Sequence, residues 1–185
     1  KKKMRECLGL IGITNKMEFD IEEVGNPLPF KWGDCKLKTV SYGHGITTTP
    51  IQLAKGYAIL SNGGYQVNPT LIKKKFDKLK RQKILNNDVS VNLNYMLRKV
   101  VTNGTASLSD VEGYEVGGKT GTAQIVENGL YTKKKINTFA SVFPISNPRY
   151  VLVVLLEDTK LSKDYVYKYR NKTGSFQGTP FNTAG

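Results

Sequence analysis

Three strand-like segments follow one another in the second half of the chain, too closely spaced for crossovers. Gly118 to Val126 alternates loosely and runs into Glu127-Asn128-Gly129, a hairpin signal. Thr138 to Pro144 reads as a second strand, Asn147-Pro148 as a turn, and Tyr150 to Leu156 as a third, buried strand. Parallel strands need a crossover of about a dozen residues or more, so this spacing predicts an antiparallel meander. Two helices precede it. Thr49 can cap the first, Pro50 suits its first turn, and Asn62-Gly63-Gly64 ends it, which predicts a helix over 50–62. The second is expected from about Val91 to Asn103. Ser90 is its expected N-cap, Leu93, Met96, Leu97, Val100 and Val101 its buried side, and Gly104 its terminator. Lys2 to Leu10 reads as the tail of a helix, and residues 8–38, broken by Gly and Pro, as connection. Phe19 to Val24 and Thr70 to Lys74 are short strand candidates. Helices followed by a meander predict an α+β domain, with helices packed on an antiparallel sheet.

The 185 residues suffice for one domain with a core. The longest apolar run, Tyr150 to Leu156, is far short of the ~20 residues of a membrane helix. The net charge of +13 raises the question of an anionic partner. It comes from 23 lysines and only 5 arginines, scattered in clusters at 1–3, 73–83, 133–135 and 160–172. Nucleic-acid readers lean on arginine forks, and no RNA- or DNA-binding signature accompanies the charge, so nucleic acid is not an expected partner. Cys7 and Cys35 form no C-x-x-C and no metal-ligand group with the single histidine, His44. They read as two unpaired, mostly buried thiols, with a disulfide as the alternative. Neither metal catalysis nor a cofactor is expected. His44, between Gly43 and Gly45, reads as a structural turn residue.

Lys119-Thr120-Gly121-Thr122 opens the first meander strand. K-T-G is one of three motifs of serine penicillin-recognising enzymes, with S-x-x-K and S-x-N. A strand edge can pair with an extended peptide, and Gly121 removes a side chain that would block its approach. The Lys119 ammonium can supply positive potential to a neighbouring serine. The Thr120 and Thr122 hydroxyls can hold a substrate carboxylate, and the Thr122 backbone N–H can form half of an oxyanion hole. The tripeptide is short enough to recur by chance. A second copy, Lys172-Thr173-Gly174, lies in a polar stretch near the chain end and reads as a loop. Ser90-Val91-Asn92 matches S-x-N in letters but reads as a helix cap. S-x-x-K has no match, so the chain supplies no nucleophile for such a site.

Longer strings carry a family resemblance. Ser41-Tyr-Gly-His-Gly-Ile-Thr-Thr-Thr-Pro-Ile-Gln-Leu-Ala54 is followed by Gly56-Tyr-Ala-Ile-Leu-Ser-Asn-Gly-Gly64, Val100-Val-Thr-Asn-Gly-Thr-Ala106, Val116-Gly-Gly-Lys-Thr-Gly-Thr-Ala123 and Phe143-Pro-Ile-Ser-Asn-Pro-Arg-Tyr150. In that order they resemble class B penicillin-binding proteins, in particular the cell-division (septal, FtsI) type. The closing Phe181-Asn-Thr-Ala-Gly185 resembles the segment before the family's last helix. The resemblance implies an incomplete three-layer transpeptidase fold, β-lactamase-like. It makes residues 1–185 the C-terminal portion of that domain, without the upstream S-x-x-K and S-x-N segments or the last helix.

For the full-length parent it implies serine acylation by the D-Ala-D-Ala end of a peptidoglycan stem peptide, followed by transfer to a neighbouring stem's amine. β-lactam antibiotics would acylate the same serine, and division-complex proteins would be partners. The parent is expected at the periplasmic face of the inner membrane, this portion being soluble and inactive alone. Lys119, Thr120, Gly121 and Thr122 are the family site residues that can be placed here. The other reading is a non-catalytic cationic module that docks on cell-wall polymer or a division partner. Apolar surface or strand edges left open would make the chain self-associate.

Overall fold

The computed structural model describes residues 2–17, 19–21, 32–33, 36–73, 81–127 and 130–159, and the backbone of 168–171 and 174–177. Helices α1 (Lys2–Leu10), α2 (Lys36–Val40), α3 (Pro50–Ser61) and α4 (Asn87–Asn103) precede strands β1 (Gly117–Glu127), β2 (Leu130–Phe143) and β3 (Tyr150–Glu157). The three strands form one antiparallel sheet in sequence order, the expected meander. Strands β4 (Lys168–Asn171) and β5 (Gly174–Gln177) pair separately. Gly174 of the second K-T-G therefore begins a strand, where a loop was expected; Lys172 and Thr173 lie outside the described residues.

α3 forms as its sequence dictates. Gln52 N–H donates to Thr49 Oγ1 at 3.3 Å and Thr49 N–H to Gln52 Oε1 at 2.9 Å, a capping box, with Pro50 in the first turn. Gln52 is fully buried, and its Nε2 donates to Asn15 O at 2.8 Å, tying α3 to the chain after α1. Ile59 of α3 meets Ile11 and Ile13 there, flanked by Leu8, Ile46, Leu60 and Leu85. The helix ends at Ser61, and the Asn62 side chain brackets Tyr65 through both its N–H and its carbonyl. Gly64 has φ +84°, and a Cβ there would sit 2.3 Å from Leu85 O, so only glycine fits. Burial of Tyr57 on α3 raises its phenol above the ordinary value near 10. The native state then keeps a proton that the unfolded chain releases. This contribution to stability is intact below about pH 10 and is lost as pH rises towards the folded value. Urea unfolding at pH 8 and at pH 11 is expected to show a drop in the wild type that Tyr57→Phe reduces.

α4 begins earlier than expected. Its N-cap is Asn86, and Ser90 lies inside the helix, 1% exposed. The Ser90 hydroxyl donates to Leu60 O at 2.6 Å and accepts from Gly63 N–H at 3.0 Å. Ser90 therefore stitches α4 to the end of α3 instead of capping. Val101 is fully buried with Ala106 and Val116, against Val100, Phe139 and Phe143. Leu93 and Leu97 are half-buried, while Met96, expected inside, is 52% exposed. α4 packs on β1, and α3 on β2 and β3.

Other expectations are corrected too. Thr70 to Lys73 makes no strand; Asp20 Oδ2 accepts from Leu71 N–H at 2.6 Å and Thr70 Oγ1 at 2.5 Å, holding a bend. Residues 19–21 are not a strand either, and 22–24 lie outside the described residues, as do Cys35 and Asn128-Gly129; Cys7, expected buried, is exposed. α2 begins within the stretch read as connection. β2 starts at Leu130 rather than Thr138: the Lys133 to Lys135 cluster, which reads as a loop or a solvated face, is strand, and Lys134 Nζ reaches Glu127 Oε1 at 2.8 Å across the hairpin. β3 forms in place but is not buried. Alternation puts Tyr150, Leu152, Val154 and Leu156 on one face, each more than a third exposed, because no described element covers that face of β3.

Candidate active-site strand

β1 carries Lys119 to Thr122 along an edge of the sheet: among the described residues it pairs with β2 on one side only. Two glycines seat it there. A Cβ on Gly118 would lie 2.7 Å from the Phe139 ring and 2.8 Å from Ala140 O; one on Gly117 would lie 2.7 Å from Ile145 Cδ1. Arg98 of α4 holds the start of the strand, donating from Nη1 to Val116 O at 2.8 Å and pairing with Asp110 at 2.7 Å. Ile145 N–H donates to Glu115 O at 3.0 Å, closing the same end.

The register sets Lys119 opposite Ala140, Thr120 opposite Phe139, Gly121 opposite Thr138 and Thr122 opposite Asn137. Lys119 is exposed, and its Nζ donates to Thr120 O at 2.7 Å. The Thr120 hydroxyl lies 3.0 Å from that of Thr105, in the turn after α4. Thr122 Oγ1 donates to Asn137 Oδ1 at 3.2 Å. A Cβ at Gly121 would meet nothing within 4 Å, so the strand is open at that residue. An irregularity between Gln124 and Val126 follows. Beyond it, opposite Val126, Tyr131 stacks on His44 with ring centroids 5.5 Å apart and the phenol oxygen 2.5 Å from Nε2. His44, read as a turn residue without a partner, thus clamps the Gly43–Gly45 turn to the hairpin. A cavity of about 510 Å³ lined by Arg98, Asp110, Glu112 and Glu115 lies beyond the start of β1 and includes none of Lys119 to Thr122.

Thr105, Arg98 and Asn137 support this strand and were not singled out from the sequence. None of the three left a motif in the sequence. Ser90, the one S-x-N match, is buried between α3 and α4 and is not a cleft residue.

The Lys-Thr-Gly-Thr segment thus lies on a glycine-seated edge strand packed against α4. The chain belongs to the penicillin binding protein transpeptidase domain family, whose pattern matches residues 1–175. It is 32% identical over 160 residues to a peptidoglycan D,D-transpeptidase FtsI homolog of Mesostigma viride, covering 74% of this chain and 27% of that protein. It is 32% identical over 141 residues to the peptidoglycan D,D-transpeptidase FtsI of Escherichia coli K12, covering 75% and 24%. The chain thus spans about a quarter of these relatives' length. The transpeptidase domain of Burkholderia pseudomallei penicillin-binding protein 3 superposes with a TM-score of 0.77 at 26% identity, over 85% of this chain and 49% of that one. A Legionella pneumophila D,D-transpeptidase domain superposes at 0.63 with 32% identity, over 89% and 53%. The expected fold class, α+β with an antiparallel sheet and helices, agrees with these neighbours.

Proposed function

We propose that these 185 residues form the K-T-G wall of a serine D,D-transpeptidase that cross-links peptidoglycan during septal wall synthesis, the S-x-x-K and S-x-N segments being supplied from outside this sequence. The open edge of β1 at Gly121 carries the reading. An extended D-Ala-D-Ala peptide adds to that edge as a further strand. Lys119 brings positive potential to the incoming serine, and the Thr120 and Thr122 hydroxyls hold the terminal carboxylate. The Thr122 N–H serves the oxyanion hole. β-lactams occupy the same edge, and the whole protein works at the periplasmic face of the inner membrane with division-complex proteins. No helix among the described residues is long and apolar enough to cross a membrane.

Fluorescent penicillin tests the division of labour. The chain alone should take no covalent label, and the same chain continuous with S-x-x-K and S-x-N segments should take one. Labelling of the chain alone would overturn the reading. The exposed face of β3 supports self-association. Light scattering should give a mass above that of one chain, and Leu152→Lys with Leu156→Lys should return it to one.

A further inference from the structure

Asn137 is 2% exposed and sits in the middle of β2. Its two polar atoms are both used. Oδ1 accepts from Thr122 Oγ1 at 3.2 Å, and Nδ2 donates to Thr159 Oγ1 at 3.0 Å. The resulting chain, Thr122–Asn137–Thr159, crosses from β1 through β2 to the residues that follow β3. Asp158 N–H donates to Lys135 O at 2.8 Å and holds that last segment against β2. A buried amide is costly unless paired, so its partners are constrained as tightly as it is.

The position of the tie gives it meaning. Thr122 is the last residue of Lys-Thr-Gly-Thr, two residues before the irregularity at Gln124–Val126. A bulge is where a strand can change register, and a slip by one residue turns every side chain to the other face. Thr122 is itself exposed, and its hydroxyl is bonded to Asn137.

We infer that Asn137 is a positioning residue for the K-T-G-T segment: it fixes the Thr122 rotamer and the register of Lys119 to Thr122 on β2. The Thr120 and Thr122 hydroxyls and the Thr122 backbone N–H are then held at fixed places for a substrate. The substrate part of this inference rests on the transpeptidase reading.

The test uses the isotopically labelled 185-residue chain, Asn137→Leu (similar volume, no polar atoms), Thr122→Val and the double variant. Three measurements are made: side-chain couplings of Thr122, amide exchange across Thr120 to Ala123, and affinity for a diacetylated Lys-D-Ala-D-Ala tripeptide. Asn137→Leu should leave Thr122 averaging over rotamers, speed exchange about tenfold, and weaken the peptide about fivefold, the loss of one hydrogen bond. In the Thr122→Val background Asn137→Leu should weaken the peptide no further, whereas a general structural role would give additive losses. A single Thr122 rotamer with unchanged exchange in Asn137→Leu overturns the inference. If that variant does not fold, Thr159→Val, which breaks the far end of the same tie, takes its place under the same criteria. Loosening of Thr122 in a chain whose wild type binds no peptide leaves the positioning role standing, and the transpeptidase reading is then decided by penicillin labelling of the chain joined to S-x-x-K and S-x-N segments.

Discussion

Gly118→Ala is expected to cost about 3 kcal/mol of stability, while Gly121→Ala, three residues along the same strand, stays within about 0.5 kcal/mol of wild type. Both are small residues in one motif, but their surroundings differ. The added methyl at Gly118 lands 2.7 Å from the Phe139 ring and 2.8 Å from the Ala140 carbonyl oxygen. The ring can tilt; the carbonyl belongs to the β1–β2 ladder and cannot retreat without breaking pairing. At Gly121 the same methyl meets nothing within 4 Å. Urea unfolding followed by circular dichroism separates the two. Equal losses, or a larger loss at Gly121, would mean that β1 is not seated on β2 in this register. Gly121→Val then becomes an informative functional variant. It should melt like wild type yet lose the D-Ala-D-Ala peptide, because its side chain occupies the space an added strand needs.

The same contrast shows what the sequence carried. Turn chemistry and periodicity are local, so the meander and the Thr49-Pro50 start of α3 were legible: the capping bonds of α3 lie within four residues, and each strand pairs with the next one in sequence. Long-range bonds left no local trace. Ser90 looks like a cap in sequence, but its hydroxyl serves Leu60 and Gly63, some thirty residues away. Lys133 to Lys135 fit a loop or a solvated face equally by composition, and a hairpin strand needs apolar residues on one face only, so the sequence did not show that they belong to β2. Tyr150 to Leu156 reads as buried because every residue is apolar, but burial depends on what lies over the strand, which its own sequence does not encode. At the candidate site the K-T-G letters pointed to β1. The residues that hold it in place, Arg98, Thr105 and Asn137, come from three other parts of the chain and carry no motif.

In a polypeptide that joins this chain to S-x-x-K and S-x-N segments, Lys119→Met is expected to slow β-lactam acylation by about 10²–10³-fold, the range for losing a preorganised electrostatic group. Its melting temperature should not move. Here the ammonium folds back on its own strand, onto the Thr120 carbonyl at 2.7 Å, and the side chain is exposed. Trading that carbonyl for a serine oxygen exchanges one hydrogen bond for another, a net cost of only about 1 kcal/mol. The lysine is thus held near the edge of β1 without being needed by the core. Lys119→Arg keeps the charge but replaces a compact ammonium with a planar fork, so it should recover only part of the rate. Stopped-flow acylation with a chromogenic cephalosporin, beside thermal melts of all three proteins, checks both halves. Wild-type acylation by Lys119→Met would remove Lys119 from the site. A large fall in melting temperature would instead make its role structural, against the exposure it shows.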